Sequence, residues 1–447
     1  MNRLILVALA SIISSPLLPA ADTIVPAADG MTGKVFAGYQ GWYRTPADGS
    51  GLGWEHYESY NLLDVDPSVK VTAGWEDYDI HGEGFLPGLC GIDFWPDMSE
   101  MDEDEKFATP FDHADGSTAY VFSSQHPKTV DRHFKWMKDY GIDGIFLQRF
   151  AHDVLEGGHH QWKLLQPANN RMAAYVQKGA QAHGRAYSIM YDLSGIRHGE
   201  MGMVMDDWRQ LCDQLDLLND PNYLHEKGKP MVAIWGVGFA SGNRKYTLDE
   251  VSQFIDFLKN DPKYGGCTVL LGVPTYWRTL QRDAVSDPKF HDVIRSADAI
   301  LPWTVGRFGG SATALERGKT YVQKDQEWCD ENGVHYLPLA FPGFSWANRY
   351  AFKDAKFNHI PREGGKFLWS QAIAAKRAGA DTIYLAMFDE MDEGTQIFKV
   401  SNNPPVGESK FLTYEPHAPD YYLRLSGAIG KMLRGEIPVT EALPVSF

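Results

Sequence analysis

The chain has 447 residues, with 58 acidic against 42 basic side chains and a formal net charge of −16. That balance excludes a general nucleic-acid binder and a protein held on anionic membranes, both of which need basic patches; neutral glycans remain open to it. Aromatic residues make up 13%, among them 13 Trp and 21 Tyr, whose flat apolar faces and polar edges suit sugar rings as well as protein cores.

Arg3, an apolar run over residues 4–13, and small residues and prolines over 14–21 have the three parts of a cleavable export signal. The apolar run is too short to span a bilayer. Cleavage is expected near Ala20 or Ala21, giving a secreted or periplasmic chain, residues 22–447, without membrane insertion. Four cysteines are few for this length. Cys212 and Cys267 fall in apolar patterns and are expected to be buried thiols, while Cys90 is available for a disulfide.

The first strand is read over 34–40. A segment over 44–125 follows, rich in Gly, Asp, Trp and Pro; loops of such length are functional or carry short strands of their own. The pattern then turns regular. A helix is predicted over 129–140 with Thr129 as N-cap, a strand over 142–148, a helix over 167–183 and a strand over 186–191. Helix 206–218 precedes strand 229–235. Thr247 and Glu250 form a capping box that opens a helix to Lys259. Strand 267–271, a helix opened by Ser286-Asp287-Pro288, strand 297–301 and helix 313–332 come next. Strand 335–340, helix 366–378, strand 382–388 and helix 420–433 complete the series.

Strands apolar on both faces, each followed by a helix, predict an α/β chain folded as a single (β/α)8 TIM barrel, with 44–125 as a long loop insertion after strand one. A doubly wound open sheet is disfavoured, because Gly236-Val237-Gly238 lies mid-chain and lacks the full phosphate-binding fingerprint. The site of such a barrel lies at the C-terminal ends of its strands. The first end carries Tyr39, Trp42 and Tyr43, the second Gln148 and Arg149, the third Tyr191 and Asp192. Trp235 follows the fourth, Tyr276 and Trp277 the fifth, Trp303 and then Arg307 the sixth. Trp346 and Arg349 follow the seventh, and Asp389 with Glu390 the eighth. Aromatic and polar groups converging on one rim predict a carbohydrate cleft, and the Arg residues suit a carboxylate or sulfate on the glycan.

The stretch after the last strand is the most informative. Its apolar run ends in Asp389, Glu390, Asp392 and Glu393, followed by Gly394-Thr395. A helical turn there puts Glu390 and Glu393 on one face, about 5–6 Å apart at Cβ. Two carboxylates on one cleft are what acid/base chemistry on a glycosidic bond needs; the residues alone do not choose between a nucleophile-and-acid pair and another division of labour. Other chemistry has less support. The acidic run from Asp93 to Glu105 reads as a solvated loop or helix start without the pattern of an EF-hand. His152, Asp153, His159 and His160 lack the spacing of a structural zinc site, and no Gly-x-Ser-x-Gly elbow occurs. No metal and no cofactor are expected.

The segment Phe388-Asp389-Glu390-Met391-Asp392-Glu393-Gly394-Thr395 resembles the Trp-Asn-Glu-Trp-x-Glu-Gly-Thr segment of glycoside hydrolase family 99, the endo-α-mannosidases and endo-α-mannanases, with family 71 as relatives. Pro342-Gly343-Phe344 and Ile142-Asp143-Gly144 are similar as well, and the order of elements matches over residues 34–435. The chain also resembles secreted bacterial proteins named xylosidase/arabinosidase. The resemblance implies a retaining α-glycosidase acting on an oligo- or polysaccharide. It implies that Glu390 is the base on the substrate's own 2-hydroxyl, which displaces the leaving group through a 1,2-anhydro sugar. Glu393 is then the general acid and afterwards the base for water, a duty that calls for a raised pKa. Asp389 stands where the family has Asn, and Met391 where it has Trp; substrate specificity is expected to depart there. The alternative is a non-catalytic glycan-binding barrel.

Overall fold

The computed structural model describes residues 30–59, 84–242, 244–350 and 355–445. The expected leader, residues 1–21, lies outside these, as does part of the insertion. At the centre are β1 (Val35–Tyr39), β2 (Gly144–Phe150), β3 (Ala186–Asp192), β4 (Lys229–Trp235), β5 (Thr268–Pro274), β6 (Ala299–Trp303), β7 in two pieces (His335–Tyr336 and Leu339–Ala340) and β8 (Ile383–Leu385). They pair in parallel in this order, and β8 returns to β1, with Val35 opposite Ile383. β7 is interrupted at Pro338, which has no N–H to give to a ladder. Its first piece pairs with β6 and its second with β8, so the ring closes as the expected (β/α)8 barrel.

The outer layer comprises α1 (Pro127–Tyr140), α2 (Trp162–His183), α3 (Met201–Leu215), α4 (Leu248–Asn260) and α5 (Lys289–Ser296). Then come α6 (Ser311–Arg317, continued through a π-turn, Gly318–Val322, into Gln323–Asn332), α7 (Lys366–Arg377) and α8 (Tyr421–Leu433). No described helix is long and apolar enough to cross a membrane. Several boundaries differ from the sequence reading. α1 starts at Pro127 behind His126, not behind Thr129, because proline presets φ for the first helical position. α2 starts at Trp162 and carries Pro167 inside; the missing N–H leaves the Lys163 carbonyl without its helical donor. α3 ends at Leu215, where Asp216 enters the left-handed region at φ 50°.

The capping box of α4 forms as read. Glu250 N–H donates to Thr247 Oγ1 at 3.2 Å, and Thr247 N–H donates to Glu250 Oε2 at 2.7 Å. Thr247→Ala is expected to cost about 1 kcal/mol, measured by urea unfolding against the wild type.

Both faces of the barrel strands are apolar, but they pack differently. Phe36, Phe146, Met190, Ala233, Leu270, Leu301 and Tyr384 fill the barrel interior. Tyr39, Ile145, Tyr191 and Ile234 join the larger cluster between the strands and the helices. Gly38 belongs to the interior face, where a Cβ would lie 2.1 Å from the Tyr384 hydroxyl; the barrel is therefore filled just beneath its C-terminal rim.

In the insertion, Phe107–Asp112 and Thr118–Val121 form an antiparallel hairpin. The acidic run includes a 3-10 turn, Glu103–Glu105, tied to α1 through Lys128 and Arg132. All four cysteines are free and buried, and Cys90 donates to the Ile92 carbonyl instead of forming a disulfide.

Candidate active site

β8 ends at Leu385, earlier than the apolar run suggests. Met387 N–H goes to the Thr395 carbonyl and Phe388 N–H to that of Gly38, so the chain leaves the sheet and folds back on itself. The return is a tight turn: Gly394 N–H donates to the Met391 carbonyl, and Thr395 and Gln396 N–H both donate to that of Glu390. Gly394 has φ +65°, and a Cβ there would lie 2.8 Å from both N and O of Ser345, so no larger residue fits the turn.

This turn sets Glu390 and Glu393 at the rim. Glu390 is 4% exposed and both its oxygens are held. Gln40 Nε2 donates to Oε1 at 2.7 Å and Thr395 Oγ1 to Oε2 at 2.6 Å. Burial raises its pKa, opposed by these two hydrogen bonds and by the Arg349 charge, which favour the ionised form. Glu393 is half-buried. Its carboxyl is pushed up to about 8, first by burial and then by the charge of Glu390, against Arg349 and Arg307. A carboxyl whose hydrogen bonds favour its ionised form, beside one whose pKa is raised to about 8, suits a division into proton acceptor and proton donor at one place.

The other two acids of the turn are structural. Asp389 is fully buried and accepts from Gln40 N–H and Gly41 N–H, each at 2.8 Å. Burial pushes it up to about 7, opposed by those bonds. Met391 is also fully buried. Neither departure from the family segment opens on the cleft, which corrects the expectation that Asp389 contacts substrate. Asp389 instead fixes the end of β1, from which Gln40 reaches Glu390. Asp392 is equally buried and gathers Tyr43 Oη at 2.9 Å, His56 Nδ1 at 2.8 Å and the Arg349 guanidinium. His56 lies flat on Trp42, with ring centroids 3.7 Å apart at 6°.

The insertion closes over this turn a second time through Asp93. Ser345 Oγ–H donates to it, as do the N–H groups of Ala347 and Asn348, both at 2.8 Å. Ser345 N–H in turn donates to the Glu393 carbonyl at 2.8 Å.

Strand alternation sorts the remaining sequence candidates. Trp235 and Trp303 meet edge to face at 5.3 Å on the interior face, and Trp346 packs against the same cluster. Gln148 lies beneath them, its Nε2 3.2 Å from Tyr384 Oη. Asp192 shares that face and accepts from Ser194 N–H at 2.7 Å. Arg307 pairs with Asp283 at 3.3 Å while its charge reaches Glu393. The others turn away from the cleft. Arg149 and Tyr191 alternate with Gln148 and Asp192 and point into the helix layer, where both bind Asp207 of α3 at 2.6–2.7 Å. Tyr39 binds His133 Nδ1 of α1 at 2.8 Å. Trp277 is buried edge to face on Trp328 at 4.8 Å. Tyr276 sits with Arg282 and Tyr321 beside α6. Tyr43 is buried and supports Asp392.

Gln40, His56 and Thr395 join the site without having been singled out, while Asp392, one of the four acids read from the sequence, supports it from behind. Arg244 joins it as well, its guanidinium lying over Trp235 at 5.0 Å. Gln40 ends β1 and Thr395 closes the Glu-x-x-Glu-Gly-Thr segment, so both carried a positional signal. His56 carried none, since 336 positions separate it from Asp392.

No family model matches the chain. Over 405 residues it is 21% identical to glycoprotein endo-alpha-1,2-mannosidase of Rattus norvegicus, covering 88% of this chain and 73% of that protein. A glycoprotein endo-alpha-1,2-mannosidase-like protein of Danio rerio is 30% identical over 134 residues, a match that spans only 28% of that protein's length and 27% of this chain. The solved GH99 endo-alpha-mannosidase of Bacteroides thetaiotaomicron shares the fold with a TM-score of 0.63 at 15% identity, covering 91% of this chain and 98% of that one. The chain is thus similar in sequence, over most of its length, to glycoprotein endo-α-1,2-mannosidases, and its (β/α)8 fold is the one seen in a family 99 endo-α-mannosidase.

Proposed function

We propose that the chain is a secreted glycosidase that cleaves an α-linked, mannan-type glycan with retention, using Glu390 and Glu393. The observation that carries this reading is the pair itself: Glu390 held at both oxygens, beside Glu393 with its pKa raised to about 8. Glu390 removes the proton of the sugar's 2-hydroxyl as O2 attacks C1. The bond from C1 to the glycosidic oxygen breaks, and Glu393 gives its proton to the departing oxygen. Water then attacks C1 of the 1,2-anhydro sugar, giving a proton to Glu393, while O2 recovers its proton from Glu390. Two displacements at C1 restore the starting configuration, and each carboxyl ends as it began. Trp235, Trp303 and Trp346 supply ring faces for the sugars. The similarity to endo-α-mannosidases supports an α-mannoside.

The test is reducing-sugar release from α-mannans, α-glucans, arabinoxylans and sulfated glycans, with Glu393→Gln assayed beside the wild type. Release from an α-mannan by the wild type alone is expected. Equal release by the variant removes Glu393 from the chemistry. Glycan binding by both without release replaces the enzyme with a glycan-binding barrel. The charge and apolar pattern of residues 1–21 supports secretion, and N-terminal sequencing of exported protein is expected to start near residue 21 or 22.

A further inference from the structure

His56 lies in the insertion and contacts Asp392 of the turn that carries Glu390 and Glu393, and the chemistry above does not use it. Its ring is fixed on several sides. Nδ1 is 2.8 Å from Asp392 Oδ2, one face lies on Trp42, and Tyr43 meets it edge-on at 6.1 Å. Its backbone has φ +63°, in the left-handed region that histidine enters more readily than most non-glycine residues.

The same neighbours set the chemistry of the ring. Arg349 already pairs with Asp392. Burial, followed by the charges of Arg349 and Arg44, holds the imidazole well below its ordinary pKa, so it is neutral. Asp392 Oδ2, at 2.8 Å, is nearer to Nδ1 than the Arg349 Nη1 donor at 3.5 Å, so Nδ1–H faces the carboxylate and the neutral ring carries its lone pair on Nε2. The side chain keeps 19% of its surface exposed, and its partner Asp392 is the residue directly before Glu393.

We propose that His56 Nε2 accepts a hydrogen bond from a hydroxyl of the sugar bound next to Glu393, which makes His56 a substrate-reading residue supplied by the insertion. A free hydroxyl can donate to this nitrogen; a sulfate or carboxylate at that position cannot. The site therefore selects a sugar unsubstituted there, although Arg307 and Arg349 stand nearby. The inference rests on the glycosidase reading of the same cleft.

Two variants separate the roles of the two ring nitrogens. Asn presents an amide N–H where Nδ1–H stands, so His56→Asn keeps the bond to Asp392 and loses the acceptor. Gln carries its amide near the position of Nε2, so His56→Gln keeps an acceptor and loses the bond. On an α-mannan oligosaccharide that the wild type cleaves, His56→Asn is expected to lower kcat/KM at least about tenfold, the worth of one hydrogen bond to substrate, with an unchanged melting temperature. His56→Gln is expected to retain more activity than His56→Asn despite a lower melting temperature. Wild-type kcat/KM in His56→Asn, or activity that merely follows the melting temperature across both variants, overturns the role of His56 and leaves the glycosidase reading standing. A wild type that neither cleaves nor binds the α-mannan oligosaccharide overturns both.

Discussion

Glu393→Gln is expected to lower kcat/KM on an α-mannan by about a thousandfold, within the roughly 100- to 10,000-fold range for a general acid. The variant keeps the shape of the side chain and removes its proton. The pH profile gives the same assignment from another side. Glu393 holds its proton below about 8, so wild-type activity should fall as pH rises through that value. Glu390 must be ionised, so activity should fall toward acid as well, giving a bell. The variant should lack the alkaline limb in whatever activity remains. Stability falls in the same direction. Glu393 at about 8 and Asp389 at about 7 have folded values above the ordinary values of 4.5 and 3.8. The folded state therefore holds protons that the unfolded state releases, and stability is lost as pH rises from about 4, the loss being complete once pH has passed about 7 for Asp389 and about 8 for Glu393. Glu393→Gln cannot ionise, so it is expected to melt above the wild type at pH 9, with the gap closing toward pH 4. A lower melting temperature at pH 9 would contradict a buried, proton-holding Glu393.

Arg149→Ala is expected to destabilise the fold by about 3–5 kcal/mol, the cost of leaving one partner of a buried ion pair alone. Arg149 and Asp207 are 2% and 4% exposed and joined by two hydrogen bonds at 2.6–2.7 Å. Urea unfolding measures the loss, and glycan affinity of the folded fraction should match the wild type. Unchanged stability with weakened glycan binding would return Arg149 to the cleft.

Arg149 also shows where sequence reading reached and where it stopped. The order of strands and helices was legible because apolar runs and helical periods are local signals, and the barrel followed from their alternation. Which neighbour at a strand end faces the cleft was not legible. Gln148 and Arg149, Tyr191 and Asp192, and Tyr39 and Gln40 are adjacent pairs of similar polarity. Covered parallel strands are apolar on both faces, so the local pattern carries no parity. Barrel closure decides it: Arg149 is registered with Tyr191, and both turn to Asp207. Asp389 failed for a related reason. A carboxylate next to Glu390 reads as part of the chemistry until the ends of β1 and β8 are seen together, with the Gln40 and Gly41 amides taking both of its oxygens. The Glu390–Glu393 spacing stayed informative because a single turn holds both residues, so no distant contact had to be foreseen.

The insertion is the part that sequence resolved least, and it contributes most to the surroundings of the pair. His56 reaches Asp392, and Asp93 secures the loop after β7 whose Ser345 holds the Glu393 backbone. Both are long-range contacts between a segment of irregular structure and the barrel rim. Local pattern gives no warning of them.

The most direct measurement of the central claim is proton NMR of the first product formed from an α-mannan, followed from the first minutes before the anomers equilibrate. The α-anomer is expected to appear first with the wild type, and the signal to be lost in Glu390→Gln and Glu393→Gln. A β-anomer appearing first, or unchanged product from either variant, would contradict it.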